Sequence, residues 1–139
     1  MATRCNVLVT GGTFKIWIYR HWDGYPGATG YQLGQMLKRL RFPNYCEPNA
    51  AQRATGFANK LVTTMREPSE YRGPEQEYEI TTDFHGDIEF FYHIHFKGGE
   101  AVSVTVHARP SYEDSADPTT WPKLIDKGTV ADLRRISRP

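Results

Sequence analysis

The most constraining feature of this sequence is an alternation of apolar and polar residues that persists from residue 77 to residue 109. Three segments carry it: Tyr78 to Phe84, Ile88 to Phe96 and Ala101 to Arg109. Because successive side chains of a strand point to opposite faces, the pattern predicts three antiparallel strands with one buried face. Keeping the apolar residues on one face requires three-residue turns, at His85-Gly86-Asp87 and at Gly98-Gly99-Glu100.

A fourth and a fifth strand are predicted before them. Arg4 to Thr10 and Thr13 to His21 flank the pair Gly11-Gly12, which favours a two-residue hairpin turn that pairs Val9 with Phe14. One face of this hairpin is apolar, whereas the other is aromatic yet polar.

Two amphipathic helices are predicted between the hairpin and the three strands. The first runs through about Arg41, and Phe42-Pro43 ends it. The second starts near Pro48, with proline in its first turn, and extends to about Met65 with Met65 facing inward. We therefore predict an α+β fold, in which a mostly antiparallel sheet of about five strands, in the order ββααβββ, packs against two helices.

The chain length indicates one domain spanning 1–139, because 139 residues are too few for two well-packed cores. The core is expected over about 4–109. Residues 110–139 are predicted to be mostly loop, with at most a short helix over Val130 to Ile136.

Charge and composition exclude several function classes. With 17 Lys plus Arg against 16 Asp plus Glu, the chain lacks the basic surface of a duplex nucleic-acid binder. No apolar run reaches the roughly 18 residues of a membrane span, and the N-terminal residues lack the apolar core of a secretory signal, so we expect a cytoplasmic protein that does not enter membranes. Cys5 and Cys46 have no zinc or redox spacing and are expected to be buried thiols.

Three histidines share the polar face of the last two strands, and their spacing is compatible with zinc. The predicted register places His93 opposite Glu79, His95 opposite Glu77 and His107 opposite Phe91. Cross-strand His–Glu pairs explain these histidines without a metal, and we expect no metal site and no cofactor. A small metal-dependent phosphoester hydrolase remains the alternative.

The string Tyr19 to Pro26, followed by Gly27-Ala28-Thr29-Gly30, combines a strand end, a tight turn and a helix start. Backbone N–H groups at the helix start, with Arg20 or His21 nearby, would suit an anion. It lacks the lysine and hydroxyl of a P-loop, so NTP hydrolysis is not supported. A purely structural connector, with Asp23 paired to Arg20, is the alternative.

The end of the sheet near Phe84 and Arg109 is a further candidate. Phe84 offers a ring on which a base could stack, and Arg109, which the register sets opposite Glu89, could hold a phosphate. Phe84 as ordinary core and Arg109 as a cross-strand ion pair are the structural alternative.

The string Tyr19-Arg20-His21-Trp22-Asp23-Gly24-Tyr25-Pro26, between an N-terminal hairpin and a helix, resembles the signature of a group of small phage and prophage proteins, the Thoeris anti-defence sponges of the first type. The resemblance implies a non-catalytic homo-oligomer in the cytoplasm of an infected bacterial host. Such a protein captures a cyclic nucleotide immune signal, a cyclic ADP-ribose isomer, and some members also hold cyclic oligonucleotides at a separate site.

The resemblance also implies site residues. A ring that stacks on adenine and arginines that hold the pyrophosphate correspond best to Phe84, Arg109 and Arg53. The pocket is also expected to contain an amide side chain, but the third and fourth strands contain no asparagine, so His93 or His95 would substitute. The signature residues would line a second site or an oligomer interface: Arg20, His21, Trp22, Asp23 and Gly24.

A competing hypothesis is an inhibitor that binds a host protein directly. It would use the aromatic face of the N-terminal hairpin, where Trp17 and Tyr19 are predicted to be exposed.

Overall fold

A computed structural model describes residues 3–41, 48–68, 70–71, 73–98, 101–110 and 117–137. Within these ranges the strands are β1 (Cys5–Gly11), β2 (Phe14–Arg20), β3 (Met65–Arg66), β4 (Glu75–Gln76), β5 (Glu79–Thr81), β6 (Phe90–Phe96), β7 (Val102–Ala108) and β8 (Lys123–Gly128). The α-helices are α1 (Tyr31–Arg39), α2 (Ala50–Val62) and α3 (Val130–Ile136), and a π-helical turn at Pro26–Gly30 precedes α1.

Six strands form the main sheet, in the order β5-β2-β1-β6-β7-β8, while β3 and β4 form a separate two-stranded ribbon. Every neighbouring pair in the main sheet is antiparallel except β1 and β6, which are parallel. The predicted α+β class and the mostly antiparallel sheet are confirmed.

The predicted hairpin between the segments 78–84 and 88–96 is wrong. β5 pairs with β2 instead, and β6 lies beside β1. The physical reason lies in β1, which buries Val7 on one face and Leu8 on the other and therefore occupies the middle of the sheet. The short β5, whose Ile80 is 61% exposed, is suited to an edge.

The N-terminal hairpin forms with a register shifted by two residues. Val9 pairs with Ile16, and the turn residues are Gly12 and Thr13 because Gly12 takes the positive φ of 55°. A shift of two preserves the predicted faces. Between β6 and β7 the predicted register is confirmed, with Phe91 opposite His107; the predicted turn residues Gly99 and Glu100 lie outside the described residues.

Helix α2 is shorter than predicted at both ends. Asn49 and Gln52 form a reciprocal capping box, so the helix begins after Asn49 rather than at Pro48. It ends at Val62, and Met65, expected to face inward, is 53% exposed on β3. Helix α1 ends at Arg39; the predicted stop, Phe42-Pro43, lies outside the described residues.

The C-terminal part contains more structure than the sequence predicts. The strand β8 was not predicted because only Ile125 of its six residues is buried, which leaves no clear alternation. The predicted short helix is confirmed as α3, which has a capping box between Thr129 and Asp132. No helix among the described residues could span a membrane. Cys5 is a buried thiol, whereas Cys46 lies outside the described residues.

The helices cover one face of the main sheet. Leu33, Leu61 and Leu133, one from each helix, are fully buried with Val7 and Ile94 of the sheet in the main core. The opposite face has a smaller cluster of its own: Leu8, Tyr19, Ile88, Phe91 and Trp121. The predicted site residues therefore lie at the rim of the helix layer or on this second face of the sheet.

Candidate functional site

Arg20, at the end of β2, is buried under the turn that follows it. Its Nη2 and Nε lie 2.8 and 2.9 Å from Oε1 of Glu77, and its Nη1 donates to the Thr29 hydroxyl at 2.8 Å. Burial by itself would lower the pKa of Arg20, but Tyr78 and Glu77 raise it. The guanidinium is therefore a charged anchor for the turn, and the partner predicted for it, the Asp23 carboxylate, is replaced by Glu77.

Asp23 and Gly24 shape the turn through their backbones. Asp23 has a φ of 57°, and its carbonyl accepts the Thr29 hydroxyl at 2.7 Å. Gly24 accepts the Tyr92 hydroxyl at 2.7 Å, and a Cβ added to it would lie 2.8 Å from the Arg4 carbonyl carbon. A glycine is required here because two backbones approach closely.

His21 and Trp22 project into a cleft of about 450 Å³, here called the Trp22 cleft. Its lining is rich in carboxylates and aromatic rings: Tyr19, His21, Trp22, Arg66, Glu75, Gln76, Glu77 and Glu79. Three glutamates make this cleft unfavourable for a phosphate. The residues of the string Tyr19 to Pro26 therefore have different roles. Arg20 anchors the turn, whereas His21 and Trp22 reach a space large enough for a ligand.

His21 is held by neighbouring polar side chains. Its Nδ1 lies 3.1 Å from the Tyr19 hydroxyl and 3.4 Å from Nε of Arg4. The Tyr19 hydroxyl also donates to Oδ2 of Asp87 at 3.4 Å, and burial, reinforced by Asp87, raises the pKa of Tyr19 to about 12. The His21 ring is therefore held at the edge of the Trp22 cleft.

A second cleft, of about 650 Å³, lies between α1 and the end of α2 and is here called the basic cleft. Its lining consists of Arg20, Ala28, Tyr31, Gln32, Gln35, Met36, Arg39, Lys60, Thr63 and Thr64. These described residues include three cations, two amides and two hydroxyl-bearing threonines but no carboxylate. Arg39 and Lys60 are exposed, and so is the ring of Tyr31, at 56%.

Phe84 and Arg109 lie near the loop that leads into β6. The Phe84 ring is half-buried, 5.9 Å from the Trp17 ring. Nη1 of Arg109 donates to the carbonyls of Gly86 and Ile88 at 3.0 and 3.2 Å. The guanidinium therefore ties the loop to β7, as expected for a structural arginine.

Arg53 lies at the opposite end of β6. Its guanidinium is 5.3 Å from the Phe96 ring, whereas the backbone N–H of Arg109 bonds to Glu89, just before the start of β6. The six residue steps from Phe90 to Phe96 span roughly 20 Å. The structure does not bring Arg53 together with Phe84 and Arg109.

The predicted pairing of the β6 histidines with glutamates is wrong, because β6 borders β1 rather than β5. Nε2 of His93 and Nδ1 of His95 instead lie 2.8 and 2.7 Å from the Thr10 hydroxyl. Burial, then His95, His107 and Lys15, lowers the pKa of His93 to about 4. The described residues contain no group of three or more His, Cys, Asp or Glu side chains that could hold a metal ion.

The aromatic face of the hairpin is less exposed than predicted. Tyr19 is buried and its ring stacks on that of His85 at 3.9 Å. Trp17 is half-buried and stacks on Phe91 at 5.6 Å. Much of the surface expected for a protein partner is therefore used internally.

Comparison with known proteins adds no relative to these observations. No protein-family model, curated protein or solved structure matches the chain.

The predicted site residues include His21 and Trp22, which line the Trp22 cleft, but not Arg66. The basic cleft was not predicted, because Arg39 and Lys60 lie on two separate helices. Both helices carry cations on their polar faces, but only packing shows that these faces meet.

Proposed function

We propose that this protein captures a cyclic nucleotide in the basic cleft and holds it without cleaving it. The observation that carries the proposal is the lining of that cleft, where Arg39 and Lys60 face a ligand-sized space that no carboxylate among the described residues shares. A nucleotide brings phosphates, which cations attract, and a base, which needs a flat apolar surface and a few polar partners.

Each part of a nucleotide has a partner in the cleft. Arg39 and Lys60 supply charge for the phosphates, and the exposed Tyr31 ring supplies a stacking surface for the base. The amides of Gln32 and Gln35 can donate to and accept from a base edge. Capture requires only that binding be tight, so such a lining is sufficient without a general acid or base.

The resemblance of the string Tyr19 to Pro26 supports a finer version of the proposal. The ligand is then a cyclic ADP-ribose isomer, and the protein is a phage anti-defence sponge that acts as a homo-oligomer in the cytoplasm of the infected host. In that version the nucleotide lies at Phe84 and Arg109, so the two locations make different predictions for mutants.

The test is retention of an intact ligand. The purified protein is incubated with cyclic ADP-ribose isomers and cyclic di- and trinucleotides, filtered and heated, and the released compounds are identified by mass spectrometry. Stoichiometric release of one unchanged nucleotide is expected. Release of nothing contradicts the proposal, and release of an altered nucleotide shows an enzyme instead.

Variants then locate the site. Arg39→Ala with Lys60→Ala should lower retention at least about tenfold, while Lys38→Ala, an exposed α1 cation outside the lining, should not. Loss of retention in Phe84→Ala or Arg109→Ala, with the double variant unaffected, would move the site to the end of the sheet.

A direct inhibitor of a host protein is the second candidate. The edge strand β5, with Ile80 61% exposed, favours it because an edge strand can pair with a strand of a partner. A stable complex with a host protein that Ile80→Lys abolishes, together with no retained nucleotide, would support this candidate.

A further inference from the structure

The charges of this chain are segregated, although their sum is nearly zero. The chain carries 17 Lys plus Arg against 16 Asp plus Glu. Residues 75–89, which include β4, β5 and the loop before β6, contain six carboxylates and neither lysine nor arginine. Helices α1 and α2 have the opposite composition, with four Lys and Arg residues and no carboxylate. The helix layer is therefore far more basic than the net charge indicates.

Packing joins cations of the three helices into one continuous band. Arg134 of α3 lies against α1, since its Cγ is 3.2 Å from the position of a Cβ on Gly34. Lys38 follows Gly34 by one helical turn on the same side of α1. Arg39 is next to Lys38 in the chain and shares the lining of the basic cleft with Lys60 of α2. These four cations are here called the basic band: Arg134, Lys38, Arg39 and Lys60.

The charge of the basic band is open to solvent. All four side chains are exposed, and none of them forms an ion pair with a carboxylate among the residues that the structure describes. The carboxylate of α3, Asp132, is engaged by Arg135 and by the backbone N–H of Thr129. A row of exposed like charges attracts a partner that carries several negative charges in succession.

The ring of Tyr31 indicates which polyanion fits. It is 56% exposed, lies two helical turns before Lys38 and lines the basic cleft beside Arg39. An unpaired base can stack on such a ring, whereas the bases of a duplex are stacked on each other. A lipid surface would call for several protruding apolar side chains, but Tyr31 is the one large exposed hydrophobic residue in the described helices.

We propose that the basic band binds the backbone of a single-stranded nucleic acid, one base of which stacks on Tyr31. The four cations pair with successive phosphates. A strand thereby contacts Lys38 and Arg134, which lie outside the lining of the basic cleft. This is an activity beyond nucleotide capture, and the two activities share Arg39 and Lys60.

The test is fluorescence anisotropy of labelled oligothymidylate and oligouridylate, each of about 15 nucleotides, titrated with the full chain at ionic strengths from about 0.05 M to about 0.2 M. Each neutralised phosphate of a single strand contributes about −0.7 to the slope of log K against log salt concentration, so four contacts predict a slope of about −3. No change of anisotropy with either strand up to about 100 μM protein at the lower ionic strength overturns the proposal. Equal affinity for a duplex of the same length overturns the assignment to a single strand.

A charge variant separates this activity from nucleotide capture. Lys38→Ala combined with Arg134→Ala should lower the affinity for the strand and reduce the salt slope to about half. Retention of cyclic nucleotides should not change, because neither residue lines the basic cleft. Lys97→Ala removes an exposed cation outside the helices and is the matched control, whose slope should equal that of the unchanged chain. An unchanged slope in the double variant, or loss of cyclic-nucleotide retention in it, overturns the proposal.

A second variant tests the stacking. Tyr31→Ala should lower the affinity for the strand at least about fivefold without changing the salt slope, since it removes a ring but no charge. Heparin binding as tight as strand binding, with Tyr31→Ala unaffected, would show a general attraction of polyanions and overturn the assignment. Binding to phosphatidylserine vesicles without binding of either strand would assign the basic band to a membrane surface instead. Failure of strand binding with intact cyclic-nucleotide retention refutes this inference alone.

Discussion

The basic cleft and the Trp22 cleft are separated by one strip of backbone, yet the net charges of their linings have opposite signs. Thr63 and Thr64 line the basic cleft, and Arg66, two residues later, lines the Trp22 cleft. The backbone N–H of Glu77 donates to Thr64 across this strip at 2.9 Å. A few residues on a short ribbon thus divide one rim into a cleft lined by cations and a cleft lined by three glutamates and one arginine.

The two clefts also share a foundation. Arg20 lines the basic cleft and is bonded to Glu77, which lines the Trp22 cleft. Substitutions of side chains on the rim should therefore affect one cleft at a time, whereas loss of the buried Arg20–Glu77 pair should affect both clefts.

The largest expected effect is that of Arg20→Ala. It leaves the buried Glu77 carboxylate without its partner, which typically costs 3–5 kcal/mol of unfolding free energy, so roughly that loss is expected in a denaturant titration. Nucleotide retention in the basic cleft should fall as well, because Arg20 lines it. The control Arg39→Ala, which removes an exposed cation, should change stability by less than about 0.5 kcal/mol. Unchanged stability in Arg20→Ala would show that the buried pair does not anchor the two clefts.

Gly24→Ala should have the next largest effect. The added Cβ would lie 2.8 Å from the Arg4 carbonyl carbon and 2.9 Å from the Cys5 backbone nitrogen, so the turn must move, at about 1–3 kcal/mol. Gly86→Ala is the matched control, since nothing lies within 4 Å of its Cβ. Equal stability of the two variants by thermal unfolding would contradict the packing argument.

Acid should destabilise the protein through His93, which lies on the face of the sheet opposite the helices. The pKa of His93 falls from 6.5 to about 4 on folding, so between these pH values the unfolded chain takes up a proton that the folded chain does not. The stability that neutral His93 allows is present above pH 6.5 and is lost as the pH falls through 4.

Thermal midpoints measured from pH 7 to pH 4 test this prediction. The decline should be shallower in His93→Gln than in the unchanged chain. His85→Gln, which alters a more exposed histidine, serves as the control. An unchanged slope in His93→Gln would assign the acid sensitivity to other groups.

Salt should produce the smallest effect and the clearest contrast between the clefts. Raising the ionic strength from about 0.05 M to about 0.5 M screens exposed charges such as Arg39 and Lys60, so nucleotide affinity should fall several-fold. The Arg20–Glu77 pair beneath the Trp22 cleft is buried, so its contribution to stability should change less. A nucleotide affinity that does not depend on salt in calorimetric titrations would remove this electrostatic distinction between the clefts.

Part of the fold could be predicted because side-chain alternation is a local property. The faces of β1, β2, β6 and β7 follow from it, and a shift of two residues in the first hairpin left those faces unchanged. The order of strands did not follow, since local pattern does not tell whether β6 pairs with β5 or with β1. The pairing depends on which strand buries side chains on both faces and therefore lies in the middle of the sheet.

The candidate site was less predictable than the fold. The string Tyr19 to Pro26 was correctly predicted to contain a tight turn. Arg20, however, the residue of the string best suited to bind an anion, is buried against Glu77, 57 residues away. Lys60 and Arg39, by contrast, gave no local signal. Their importance depends on the approach of two helices.

The sequence by itself determined the α+β class and the hydrophobic faces of the strands, because these follow from the periodicity of side chains over a few residues. Only the structure showed the helix caps and the close approach of Gly24 to Arg4 and Cys5. Only the tertiary structure decided the parallel pairing of β1 with β6, the partner of Arg20 and the separation of the two clefts. These depend on contacts between residues distant in the sequence, where burial and charge pairing outweigh local preference.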